Sequence, residues 1–397
     1  MKHQKITHAV RAGINTDEQY GSVMPPVYLS SNYSFAGFEG KREYDYSRSG
    51  NPTRDVLAKA LTDLEGGYGA VITNTGMSAV VLVTHLLKAE DTILAPHNCY
   101  GGCYRAFSSL ADAGRFKTQF VDFTNVNAVR RACLRHQPKI IWVETPSNPL
   151  LRITDIRAMA VLARECGALL VVDNTFLTPL LQQPFLLGAD IVVHSTTKYI
   201  NGHSDVIGGA VVAKTPALLE DLAWWANCVG STASPWDSNQ TMRGLRTLHA
   251  RLRCHEENTQ AVVRVLNTHT AVRRVHYPGL TAHPDHHLAQ AQQSGFGAII
   301  SFELAGGTAE VRAFLDGLRC FTLAESLGGV ESLVCHPGSM THAAMTEDAQ
   351  REAGIEPSLL RLSVGIEHVA DLIVDISAGL ERTQKSVEYM PKMTHFA

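Results

Sequence analysis

The sequence predicts an α/β fold with a mostly parallel central sheet, followed by a smaller C-terminal α+β domain. Three observations carry this. Between about residues 60 and 250, short β-rich runs end abruptly in polar residues and alternate with helical stretches. Strands that are apolar throughout belong in a sheet covered on both faces, and helices between them make that sheet parallel. After about residue 250 the texture changes, and "FGAIISFEL" and "LLRLSVGIE" read as half-buried strands. Finally, 397 residues of 45% hydrophobic composition support a large core and exceed one typical domain.

Residues 1–60 are polar, aromatic and carry several prolines and glycines, so they read as an irregular arm. Residues 61–250 are the α/β domain. Its first run, "AVITN", passes into Thr75-Gly76-Met77-Ser78 and the apolar helix "AVVLVTHLL". Such a turn is either plainly capped by Thr75 or offers free N–H groups to an anion, phosphate above all. "TILAP" leads to His97 and Tyr100, "IIWVE" to the turn "TPSNP" with Asn148, and "LLVVD" ends on Asp173. "DIVVH" runs into Ser195, Thr197 and Lys198. Residues 251–397 are the smaller domain. There Leu360, Leu362 and Val364 alternate with Arg361, which therefore points away from the core face. Val369, Leu372, Ile373, Ile376 and Leu380 mark the last helix.

Ligands of open α/β sheets sit beyond the carboxyl ends of the strands. If the strands are parallel, the residues after them share one rim. That rim offers an amine, a carboxylate, an aromatic ring, an amide and a phosphate cradle. These are the parts of a pyridoxal 5'-phosphate site. Lys198 would form an imine with the aldehyde, and Asp173 would keep the pyridine nitrogen protonated. Tyr100 would stack on the ring. Each residue alone has a plainer reading: a solvated strand end for Lys198, a cap or turn for Asp173. Their coincidence on one rim favours the cofactor.

Other signatures fail. "GGYGAVIT" and "GFGAII" lack the last glycine of a dinucleotide fingerprint, and no P-loop is present. "GHSDV" lacks the final glycine of a nucleophile elbow. A net charge of −3 gives no general attraction to nucleic acid or anionic membrane. Arg130, Arg131 and Arg135 read as a solvated helix face. No apolar run is long enough to span a bilayer, and "MKHQKITHAVRAG" lacks a signal-peptide core, so a cytoplasmic enzyme is expected. The eight cysteines read as free thiols. His283, His286 and His287 read as a polar surface turn around Pro284, and no metal is expected.

As a set, "YSRSGNPT", "TNTGMSA", "ETPSNP", "VVDNTF", "STTKYINGHSD" and "LAESLGGVESL" are highly specific. They resemble the cystathionine γ-synthase/γ-lyase family of pyridoxal-phosphate enzymes, from about residue 6 to about 380. The resemblance implies the PLP-dependent transferase fold type I, like aspartate aminotransferase, and a homotetramer of active dimers. It implies that Gly76, Met77, Ser195 and Thr197 bind the phosphate, and that Asn148 lies by the cofactor's 3-oxygen. Tyr46 and Arg48, in the arm, would reach the phosphate of the neighbouring subunit. Arg361 would clamp a substrate carboxylate beside Ser326, and Glu325 would meet a distal ammonium. The implied substrates are small amino acids. The implied reaction is γ-replacement joining an O-acylhomoserine, with the succinyl ester expected, to cysteine. Release of cysteine from cystathionine and the use of sulfide are the alternatives. Synthases of the family often carry a second arginine where Ser49 stands, which leaves succinyl against acetyl open. Arg105 is then the candidate for a distal carboxylate.

Overall fold

The central strands are apolar on both faces because each face meets a layer of helices. In this computed structural model, which describes residues 4–343 and 345–388, seven strands build the large sheet. They are β1 (Gly69–Thr73), β2 (Thr92–Pro96), β3 (Lys117–Val121), β4 (Ile140–Glu144), β5 (Leu169–Asp173), β6 (Ile191–His194) and β7 (Gly209–Ala213). Their order is β1-β7-β6-β5-β4-β2-β3. Every pairing is parallel except those of β7, which runs against both β1 and β6. Two strands, β3 and β7, lie outside the five apolar runs picked from sequence. β3 is "KTQFV", a partly exposed edge strand without a continuous apolar run.

Side chains alternate across a strand, so each strand feeds two cores. Ile93, Ala95, Ile140, Trp142, Val171 and Ile191 join one cluster, under helices Gly76–Thr84, Gly101–Asp112 and Pro216–Val229. Leu94, Ile141, Val143, Leu170, Val172 and Val192 join the other, over helices Val126–His136 and Ile156–Cys166. Trp142 is fully buried and meets Phe107 edge-on, with ring centroids 5.3 Å apart. Truncating such a residue to alanine costs about 3–5 kcal/mol. Helix starts are capped locally: Thr75, Asn125, Asp155 and Thr215 each accept from a backbone N–H of the first turn.

The smaller sheet holds β8 (Val272–His276), β9 (Ile299–Leu304), β10 (Thr322–Leu323), β11 (Leu333–Cys335) and β12 (Leu359–Ser363), in the order β10-β11-β12-β9-β8. β9 and β12 are buried along their whole length, not half-buried. The core face of β12 (Leu360, Leu362) packs on Leu372, Ile376 and Leu380 of the helix Val369–Glu388. Arg361 is on its opposite face, where protein rather than water covers it.

A 34-residue helix, Pro235–Thr268, ties the parts together. It is about 51 Å long at 1.5 Å per residue. Met242, Leu245, Leu248 and Leu252, reaching to the middle of the helix, pack with Ala9, Leu57, Leu61 and Leu64. Val262, Val263 and Leu266 in its second half pack under the smaller sheet. Residues 60 and 250 therefore both fall inside helices, Pro52–Glu65 and Pro235–Thr268. The end of the first sixty residues is core, not arm. His286 also departs from a surface turn. It is buried, holds the carbonyl of Pro278 at 2.7 Å and stacks on Phe296. All eight cysteines are free thiols. Among the described residues no helix is long and apolar enough to cross a membrane.

Candidate active site

Because six of the seven strands share one direction, their carboxyl ends share one rim. That rim and the segment 324–327 after β10 enclose a cavity of about 770 Å³. Lys198 enters it from the turn after β6. Its Nζ donates to Ser326 Oγ at 2.7 Å. Burial, then the positive charge of Arg361, lowers its pKa to about 8, against the opposite pull of Glu325. A larger share of this amine is therefore uncharged near neutrality than in an ordinary lysine.

Ser326 has a φ of +80°, a left-handed conformation that costs a side-chain-bearing residue about 1 kcal/mol or more. It turns Oγ to Lys198 and the carbonyl to Arg361, whose Nη2 donates to it at 2.8 Å. Nη1 of Arg361 donates to Asn148 Oδ1, also at 2.8 Å. Arg361 is only 3% exposed, and its Nε is buried without a partner. A buried cation with an unused donor at a cavity wall suits an incoming carboxylate.

Asp173 closes β5. Its Oδ1 accepts from Thr175 N at 3.0 Å and Thr175 Oγ1 at 2.5 Å. Thr175 Oγ1 in turn accepts from Ser195 N at 2.9 Å, which ties the ends of β5 and β6 together. Burial raises the Asp173 pKa, while Thr175 and His194 act against it. Tyr100 precedes helix Gly101–Asp112, is 42% exposed, and has its hydroxyl pKa raised chiefly by burial.

Gly76 opens helix Gly76–Thr84, and a Cβ built on it would lie 2.7 Å from Ser195 Cβ. The bare backbone therefore leaves a cradle between the helix start and Ser195. Thr75 caps the same helix through Ser78 N at 2.8 Å. The cap takes Ser78 N, and the N–H groups of Gly76 and Met77 have no helical partner, so capping by Thr75 does not use up the donors an anion would need. Thr197 is placed less simply. Its hydroxyl donates to Gly208 O at 3.2 Å and accepts from Gly208 N at 3.0 Å, so its proton is already engaged.

Gly76, Met77, Tyr100, Asn148, Asp173, Ser195, Thr197, Lys198, Glu325, Ser326 and Arg361 all line this one cavity. Arg105 does not. It is exposed on the helix after Tyr100, where its charge pulls the Tyr100 pKa down against burial. Tyr46 and Arg48 are exposed and outside the wall. Arg48 sits 5.2 Å over the Tyr46 ring and donates to Asn227 Oδ1 at 3.0 Å. His97 instead bonds the carbonyl of Val121 at the end of β3.

Glu144 and Thr175 also line the cavity and were not singled out in the sequence. Glu144, the last residue of β4, is buried and takes the backbone N–H of Tyr100 at 2.7 Å and of Asn148 at 3.1 Å. Its pKa is pushed up to about 8, first by burial and then by Asp173. The signal was visible as an acid ending an apolar run on the same rim.

Over residues 6–381 the chain matches the family of Cys/Met metabolism PLP-dependent enzymes. It belongs to that family. It is 54% identical to the cystathionine γ-synthase of Escherichia coli (strain K12), over 97% of this chain and 100% of that one. Cystathionine γ-lyase of Bacillus subtilis (strain 168) is 43% identical over 95% of this chain and 99% of its own. Among solved structures, cystathionine γ-synthase from Xanthomonas oryzae pv. oryzae in complex with cystathionine superposes with a TM-score of 0.96. It is 57% identical, covering 97% of this chain and all of that one. The architecture of this Cys/Met metabolism enzyme is that of a fold type I PLP enzyme, with a smaller C-terminal domain.

Proposed function

We propose that this chain holds pyridoxal 5'-phosphate on Lys198 and joins an O-acylhomoserine to cysteine, giving cystathionine and the free acid. The observation that carries the reading is the Lys198–Ser326–Arg361 chain of contacts inside a cavity that also holds Asp173. The residues fit the cofactor: the space left by Gly76 beside Ser195 suits a phosphate, Asp173 a cationic ring nitrogen, and Lys198 an aldehyde. When bound, the cofactor supplies an electrophilic aldehyde and an electron sink.

The chain's own groups then divide the work. Arg361 binds the α-carboxylate through its planar fork and unused Nε. The Lys198 amine, uncharged when it acts, takes and returns protons at the substrate's α- and β-carbons. Tyr100 covers the ring face and assists proton movement. Glu325 draws the ammonium of cysteine. In balance, the γ-carbon loses its acyloxy group as a carboxylate and gains the thiol sulfur, and the thiol proton is released. The higher identity to the Escherichia coli and Xanthomonas oryzae synthases, 54% and 57%, than to the Bacillus subtilis γ-lyase, 43%, supports synthesis over breakdown. The succinyl ester is the expected donor. Tyr46 and Arg48 serve the phosphate of a second subunit, in a homotetramer of active dimers.

Product analysis tests the reading. O-succinylhomoserine with cysteine should yield cystathionine and succinate. Faster breakdown of cystathionine alone would replace this reading with the γ-lyase, and a clear preference for the acetyl ester would overturn the succinyl assignment. Borohydride treatment should leave a reduced cofactor adduct on Lys198, and its absence together with no visible absorbance would sink the cofactor reading.

A further inference from the structure

Glu144 is out of place by composition. The four residues before it, Ile140, Ile141, Trp142 and Val143, are fully buried and apolar. A carboxyl ending such a strand loses its hydration and must recover it from protein donors. It has two. Oε2 accepts from Tyr100 N at 2.7 Å and Oε1 from Asn148 N at 3.1 Å. A glutamine could serve only one of them, because its second terminal atom is itself a donor and would face an N–H.

These two N–H groups belong to the turns that matter most. Tyr100 is the ring beside the cofactor pocket. Asn148 carries the amide that accepts from Arg361 Nη1 at 2.8 Å. In the sheet, Glu144 is in direct register with Asp173 on the neighbouring β5. One side chain thus holds the turn of the stacking ring and the turn of the carboxylate clamp, and its residue pairs across the sheet with the acid for the ring nitrogen.

The geometry points to Glu144 as a positioning residue that locks Tyr100 and the Asn148–Arg361 clamp to the Asp173 end of the cofactor pocket. This rests on the cofactor reading above. The titratable groups facing it are Asp173 on β5, Tyr100, and the buried thiols Cys99 and Cys103. Burial pushes both thiols well above their ordinary range, which leaves them neutral. Two adjacent carboxyls in a dry site do not both ionise readily. A neutral Glu144 therefore lets Asp173 keep the charge that a cationic ring nitrogen needs. Above pH 8 its own ionisation adds a second negative charge beside the pocket.

The test uses the full-length, cofactor-loaded chain with Glu144→Gln and Glu144→Asp. Cofactor absorbance is followed against pH, and kcat and KM are measured separately. In Glu144→Gln the absorbance transition should move to lower pH, because the extra negative charge is gone. KM for the homoserine ester should rise and kcat/KM fall about 10–100-fold, the scale of a misplacement near 1 Å. Glu144→Asp keeps the charge but is one methylene short of spanning both N–H groups. It should restore the transition while leaving KM raised. A wild-type transition and kcat/KM within about twofold in Glu144→Gln would overturn the inference. If Glu144→Gln does not fold, an unaltered KM in Glu144→Asp overturns it. A wild-type chain that takes up no cofactor would instead sink the cofactor reading.

Discussion

The two walls of the cavity are built differently. On the sheet wall, polar side chains sit on short turns directly after strands, and the turns hold one another. Thr175 binds both Asp173 and Ser195, Thr197 grips Gly208 from both sides, and Glu144 binds Tyr100 and Asn148. On the wall from the smaller sheet, Arg361 is fixed by two bonds, but Glu325 beside it is exposed. On the proposed function, the interlocked wall would meet what the reactions of the family share, the cofactor, and the open wall would meet the distal part of the substrate, where the reactions diverge. Preorganisation is therefore concentrated where the chemistry is common.

The largest expected effect breaks the sheet wall. Lys198→Ala should reduce turnover below detection and abolish the borohydride-stable adduct, because no second amine enters from the same turn. Intact protein mass after reduction reads this directly. Retained wild-type turnover would overturn the assignment. Gly76→Ala should come next. Its φ is not in the left-handed region, so the backbone tolerates alanine, but the new Cβ would meet Ser195 at 2.7 Å. The cradle closes, and affinity for pyridoxal phosphate should fall about 100-fold in an absorbance titration. Unchanged affinity would place the phosphate elsewhere.

The other wall should respond in KM. Arg361→Lys keeps the charge but loses the fork that reaches Asn148 and Ser326 together. KM for the homoserine ester should rise about 10–100-fold, as expected for a bidentate charge-assisted contact reduced to a point charge. A pH experiment sharpens the same contrast. Lys198 loses its proton near pH 8 in the folded chain, below its ordinary value. Only the neutral amine attacks the aldehyde. Cofactor uptake by the empty chain should therefore speed up about tenfold between pH 7 and 9 and then level off. An unperturbed lysine would still be accelerating at pH 10. The linked stability has the same sign. Between pH 8 and the unfolded value the unfolded chain holds more protons, so the empty folded chain gains stability as pH rises.

Much of the sheet wall was legible because it follows strands that are apolar throughout. A run such as "LLVVD" or "DIVVH" announces both the strand and the place where it stops. What was hidden depended on partners far away in sequence. β3 is a polar edge strand, and β7 reverses direction after the glycine-rich turn that follows Lys198. Glu144 looked like the polar end of a run, and only the folded chain brings Tyr100 N and Asn148 N to it. Arg105 was offered only through the resemblance; it is exposed on the helix Gly101–Asp112 and is not among the residues that line the cavity.

Glu325 gives the smallest and most selective effect. It is exposed, so solvent screens whatever it attracts, and exposed ion pairs contribute at most about 1 kcal/mol. Glu325→Gln should therefore raise KM for cysteine by no more than about fivefold. On the proposed function, the homoserine ester would carry its charges near Arg361 and Lys198, so its KM should not move. The measurement is a pair of saturation curves, each substrate varied against an excess of the other. Equal rises in both KM values would mean that Glu325 acts through Lys198, whose amine it does influence. A rise for cysteine alone places the incoming ammonium at the open wall, and with it the discrimination that the interlocked wall does not supply.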